Sequence, residues 1–167
     1  MLKEKQKEKS MAESTRAIDR EQDSCLSIAP SISYGIFQVG ANIADYTDYV
    51  VKKTTGDNHY SFDEYDARID GYHITLCCKK NGVIDNICFD EHCFYQGKDL
   101  IGFNVISFML MINKEPDSVD IDWVPTKDEN HGQNHRCYCF YFNRSRVIQL
   151  WTWRKRIVNL TVYDYRL

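Results

Sequence analysis

The chain has 167 residues, 43% of them hydrophobic and 13% aromatic, with only 3 prolines, which is the profile of a folded globular protein and excludes an extended disordered one. A net charge of −3 excludes a uniformly basic nucleic-acid binder. No apolar run approaches the roughly 18 residues that a membrane-spanning helix needs.

Residues 1–31 read as a polar tail, disordered or frayed, dominated by the mixed charges from Lys3 to Lys9. This charged start lacks the apolar stretch of a signal peptide, so the expected location is the cytoplasm, where thiols stay reduced. Seven cysteines, an odd number, also argue against a complete disulfide framework.

From Ile32 onward the chain carries one unit twice. Gly40-Ala-Asn42-Ile43 returns as Gly102-Phe-Asn104-Val105, 62 residues later, and residues 83–90 return as 157–164, 74 residues later. The first unit spans 32–97. In it Asn42 is expected to cap a helix that carries Ile43, Tyr46, Tyr49 and Val50 and ends near Lys52, Lys53 and Gly56. Strands are expected over 65–69, 72–79 and 83–90, with Asn81-Gly82 turning the last hairpin.

The second unit spans 98–167. Asn104 is expected to cap an apolar helix over 105–112 that ends at Glu115-Pro116-Asp117. Apolar on nearly every face, it is expected to be the more buried of the two helices. Strands are expected over 136–143, 146–153 and 156–164, with Arg154-Lys155 supplying poorer turn chemistry than Asn81-Gly82. Aligned at 74 residues, Asn86 falls on Leu160 and Ile87 on Thr161, so a one-residue bulge in one copy is expected to restore the phase. Residues 116–135 are extra to the second unit and read as a loop insertion. The fold class that follows is α+β: two tandem α-βββ repeats, with an antiparallel sheet packed against two helices.

Charge is unevenly spread. Residues 115–129 hold six acids against one Lys, and residues 136–167 hold seven bases against one Asp. Either pole could steer a charged partner.

Four chemical readings compete. Cys88, His92 and Cys93, or Cys137 and Cys139 with His131 and His135, have zinc-ligand chemistry but lack C-x-x-C spacing, so no metal and no cofactor are expected. A Cys–His nucleophile using His73 or His92 is disfavoured because Asp85, Asp90 and Glu91 surround the thiols and raise their pKa. Asp63, Glu64 and Asp66 have the groups for acid–base work, but a solvated acidic segment explains them equally well. Arg144, Arg146, Arg154, Lys155 and Arg156, interleaved with Tyr141, Trp151, Trp153 and Tyr163, suit single-stranded nucleic acid only if they share one face.

The tandem order of a helix followed by antiparallel strands resembles the fold of the beta-lactamase inhibitory protein and of the small outer-membrane assembly lipoproteins. Leu100-Ile101-Gly102, Glu115-Pro116-Asp117, Ile148-Gln149-Leu150-Trp151-Thr-Trp153 and Ile157-Val158 are also similar to small bacterial proteins that include immunity proteins of polymorphic toxin systems. The resemblance covers about residues 34–167 and implies a protein-binding role without implying any site residue. The expectation is therefore a non-enzymatic cytosolic module that binds a protein partner such as a cognate toxin. The acidic segment with Asp117, Asp120, Asp122, Trp123, Asp128 and Glu129 is the expected contact, its carboxylates steering toward a basic surface and Trp123 anchoring it.

Overall fold

The structure is a computed structural model and describes residues 26–27, 33–55, 62–112, 114–123 and 135–166. In chain order the strands are β1 (Leu26–Ser27), β2 (Ser33–Tyr34), β3 (Phe37–Gln38), β4 (Val50–Thr55), β5 (Phe62–Ile69), β6 (Tyr72–Lys79), β7 (Ile84–Phe89), β8 (Phe94–Tyr95), β9 (Lys98–Asp99), β10 (Ser118–Trp123), β11 (His135–Phe142), β12 (Arg146–Trp153) and β13 (Arg156–Asp164). A 3-10 helix covers Ile43–Tyr49 and one α-helix, α1, covers Val105–Met111.

The expected α+β class is wrong. Among the described residues 60% lie in strands and 12% in helices, and the centre of the fold is one eight-stranded antiparallel sheet, ordered β10-β11-β12-β13-β7-β6-β5-β4. The first expected helix shrinks to a 3-10 helix, kinked at Tyr46, because the chain turns extended at Val50. Val50-Val51 and Thr54-Thr55 are β-branched and pack better on a pleated sheet. Lys52 and Lys53, expected at a helix C-terminus, therefore lie in β4. Each half thus has four sheet strands rather than three.

Part of the insertion, expected to be a loop, is a strand. Ser118-Val-Asp-Ile-Asp-Trp123 alternates polar and apolar residues, and β10 pairs with β11 from Ser118↔Tyr141 to Trp123↔Arg136. β4 and β10 are the outer strands of the sheet, and the Lys and Asp residues they carry are what edge strands use against aggregation.

The two halves share bonds as well as strand order. Gly40 N–H donates to Ile84 C=O at 2.8 Å, and Gly102 N–H to Ile157 C=O at 2.7 Å. Ile43 N–H donates to Gly82 C=O and Val105 N–H to Lys155 C=O, both at 2.9 Å. These bonds match residues 73 apart, not 74. The cause is the turn before the last strand. In the first half a three-residue loop ends at Gly82 with φ +83, whereas in the second Arg154 and Lys155 sit at φ 49 and 66 and close a two-residue turn. Both halves carry a register irregularity, between Cys77 and Cys78 and between Trp151 and Thr152, so the expectation of a bulge in one copy alone is corrected. At the offset of 73, Ile84, Ile87 and Phe89 correspond to Ile157, Leu160 and Val162, and all six are fully buried.

The halves join where β7 pairs with β13. Leu160 lies opposite Phe89, Thr161 opposite Cys88 and Val162 opposite Ile87. A pseudo-twofold axis therefore passes through the Thr161–Cys88 pair. One face of the sheet is covered by the short hairpins and helices, and its core contains Tyr34, Phe37, Leu76, Phe89, Leu100, Phe108, Phe140 and Leu160.

Gly82 is fixed by two constraints. A Cβ there would lie 3.1 Å from Asn42 Oδ1, and that same oxygen accepts the Ala44 N–H that caps the 3-10 helix. Gly82→Ala should destabilise the chain by about 1–2 kcal/mol from the left-handed backbone alone, with crowding of the cap added. Gly71→Ala meets only the backbone term, since nothing lies within 4 Å of its Cβ. Urea unfolding of the two variants separates the contributions, and equal losses would exclude the cap.

Candidate functional site: the open face of the sheet

Side chains alternate across each strand, so pairing register assigns them to faces. In β11, Tyr138, Phe140 and Phe142 enter the main core, whereas Cys137, Cys139 and Tyr141 point to the opposite side. One row across that second face reads Asp120, Cys139, Gln149, Thr161, Cys88, Thr75 and Asp66. A neighbouring row reads Ser118, Tyr141, Val147, Tyr163, Asn86, Cys77 and Glu64. Among the described residues no helix or strand layer covers this face.

Its second-half side has a small apolar base of Cys137, Cys139 and Val147, with Tyr141, Trp151 and Tyr163 packed on it half-exposed. Asp120 and Asp122 rim this base as the cross-strand partners of Cys139 and Cys137. Burial pushes the Tyr141 hydroxyl up to about 12, helped by the charges of Cys139 and Asp120, and Tyr141 hydrogen-bonds Asp120. The tyrosine thus remains a neutral donor beside a carboxylate.

Of the other four expected contact residues, two have structural roles and two lie outside the described residues. Asp117 accepts the Arg144 N–H at 2.9 Å and so caps the β11–β12 turn. Trp123 ends β10 through its backbone pairing. Asp128 and Glu129 lie outside the described residues, as do His131 and most of the 1–31 tail. Tyr141, Trp151 and Tyr163, which complete the surface, were read in the sequence only as possible nucleic-acid stackers; the spacing of Tyr141, two residues after Cys139, was the one available signal.

The five residues considered for a metal do not converge. Cys93 is buried in the main core, and Asp99 Oδ1 accepts its N–H. His92 Nδ1 meets Asp99 Oδ2 at 2.6 Å. Cys88 is on the open face, with β13 and β12 between it and Cys137 and Cys139 on β11. Among the described residues no group of three or more His, Cys, Asp or Glu is arranged to hold a metal ion.

The thiols depart from expectation. The alignment of residues 83–90 with 157–164 would set Cys88 against Val162; at the offset of 73 it matches half-exposed Thr161. The acids nearby do raise its pKa, as expected, but they are outweighed. A hydrogen bond from Cys77, and then one from Thr161, lower it to about 7 against burial and the charges of Glu64 and Asp90. His73 directs its ring nitrogens at Asp66 (3.4 Å) and Asp90 (3.7 Å). Asp63 is on the opposite face from Glu64 and Asp66, bound by Lys80 at 2.6 Å and Lys53 at 3.0 Å, so these acids do not form one pair. Lys80 foremost holds its carboxyl below the usual range.

Two further features are basic or apolar. Arg144 and Arg146 lie at one end of β12 and Arg154–Arg156 at the other, about 23 Å apart for an eight-residue strand. The basic residues thus form two groups separated along the strand. α1 is the more buried of the two helices, as expected, with Val105 and Phe108 buried where the 3-10 helix buries only Ile43, yet Ile106, Met109 and Leu110 are exposed, Leu110 at 85%.

Comparison with protein-family models, with curated proteins and with solved structures found no match to this chain. Among the described residues no helix is long and apolar enough to cross a membrane.

Proposed function

We propose that the chain is a non-enzymatic, cytosolic protein-binding module of the immunity type, which neutralises a toxin through the β10–β13 part of the open face. The observation that carries this reading is the placement of Tyr141, Trp151 and Tyr163 beside Asp120 and Asp122 over one apolar base. Half-exposed aromatics on a firm base are the usual anchors of protein interfaces, and acids at their rim steer a basic partner. The bland explanation of the aspartates, protection of an edge strand, leaves the aromatic cluster unexplained. Six free cysteines among the described residues are compatible with a reducing compartment.

The test begins with recovery of the partner from the native host on immobilised chain. Asp120→Asn with Asp122→Asn should then slow association and flatten its salt dependence, leaving dissociation nearly unchanged. Trp151→Ala should weaken binding by about 30-fold or more, chiefly through faster dissociation. Unchanged kinetics in both variants would remove the open face as the contact.

A further inference from the structure

We propose that Cys77 and Cys88 form a peroxide-reactive dithiol on the open face, with Cys88 as the attacking sulfur and Cys77 as the resolving one. This inference is independent of the partner-binding reading and rests on where the fold puts six thiols.

Cys88 pairs with Thr75 and Cys77 with Asn86, so the two cysteines are diagonal neighbours on one face of adjacent strands. They hydrogen-bond each other, Thr161 Oγ1 donates to Cys88 Sγ at 3.5 Å from the other side, and the protonated Cys88 thiol donates to Asn86 Oδ1 at 3.2 Å. Cys88 thus stands on the pseudo-twofold axis between donors from β6 and β13. The groups facing it are Cys77, Thr75 and His73 of β6, Thr161 of β13, Asn86 and Asp90 of β7, and Glu64 from β5. Both thiols are half-exposed, whereas Cys78, Cys93, Cys137 and Cys139 are buried. The register irregularity directly after Cys77 supplies backbone slack for closing an S–S bond.

The donors act on the thiolate. The hydrogen bonds lower the Cys88 pKa to about 7, so more of it is thiolate at neutral pH than of an ordinary thiol, and the lower intrinsic nucleophilicity returns only part of that gain. Cys137 and Cys139 have sulfurs 3.8 Å apart, yet burial pushes Cys137 up to about 12. Burial also keeps a dissolved oxidant away from both of these sulfurs.

The oxidant is hydrogen peroxide. The Cys88 thiolate attacks one peroxide oxygen, the S–O bond forms, the O–O bond breaks, and the departing hydroxide takes a proton to become water. Cys77, losing its proton, attacks the sulfenic sulfur; the S–S bond forms, the S–O bond breaks, and a second water leaves. Two thiols lose two electrons and one peroxide becomes two waters.

The test uses the full chain, treated with hydrogen peroxide at pH 7 and read by peptide mass spectrometry. A Cys77–Cys88 disulfide is expected first. Cys77→Ser should leave Cys88 as a sulfenic acid trapped by a cyclic 1,3-diketone, and Cys88→Ser should abolish the disulfide. Iodoacetamide labelling of Cys88 in unoxidised Cys77→Thr, which keeps a hydroxyl donor, should still rise with a midpoint well below 9. Circular dichroism confirms that each variant is folded. A Cys137–Cys139 disulfide forming first, a disulfide from Cys25 to Cys88, or wild-type Cys88 labelling with a midpoint near 9 would each overturn the proposal.

Discussion

Phe108→Ala is expected to lower stability by about 3–5 kcal/mol in urea unfolding, while Leu110→Ala, two residues further along α1, changes it by no more than about 0.5 kcal/mol. Both residues are large and apolar, and they belong to the same seven-residue helix. They differ in what they touch. Phe108 is fully buried, with Tyr95 at 6.2 Å and Phe140 at 5.5 Å in edge-on contact, so truncation leaves a cavity between helix and sheet. Leu110 is 85% exposed and has little surface to lose. Asn104 fixes this orientation by accepting N–H bonds from Ile106 at 2.9 Å and Ser107 at 3.4 Å. Equal losses in the two variants would mean that α1 is rotated about its axis.

The same helix shows where sequence reading ends. The Asn104 cap was legible, because Asn before an apolar run has a local meaning. The buried face was not, because Val-Ile-Ser-Phe-Met-Leu-Met has no polar side to orient it. The strands of both sheet halves were legible from alternation and turn residues, to within a few residues. β4 was hidden by helical spacing from Ile43 to Val50, which the β-branched run that follows overrides. β10 was hidden by its aspartates, although Val119 and Ile121 alternate with them. For the candidate site, Asp120 and Asp122 were found from charge alone. Their neighbours Tyr141, Trp151 and Tyr163 come from three other strands, and only the register brings them together.

The junction between the halves carries the second large effect. Phe89→Ala, in the first half, should cost about 3–5 kcal/mol, and that loss should appear undiminished in tryptophan fluorescence. All three tryptophans, Trp123, Trp151 and Trp153, belong to the second half. Fluorescence is therefore blind to Phe89 unless the halves unfold together. The structure argues that they do. Phe89 is fully buried against Tyr34, with ring centroids 4.6 Å apart, and lies opposite Leu160 across the β7–β13 pairing. The main core is one cluster containing Ile74, Ile84 and Ile87 from one half and Phe140, Ile148 and Val162 from the other. Separating the halves would expose β7 and β13 as long apolar edges, the state that sheets avoid. Far-UV circular dichroism, which senses both halves, should give the same midpoint as fluorescence in the wild type and the same displacement in the variant. A fluorescence midpoint that stays fixed while the dichroism shifts would make the halves separate folding units. The open face would then lose its rigid centre, and the Cys88–Thr161 contact would be a docking contact between domains rather than part of one sheet.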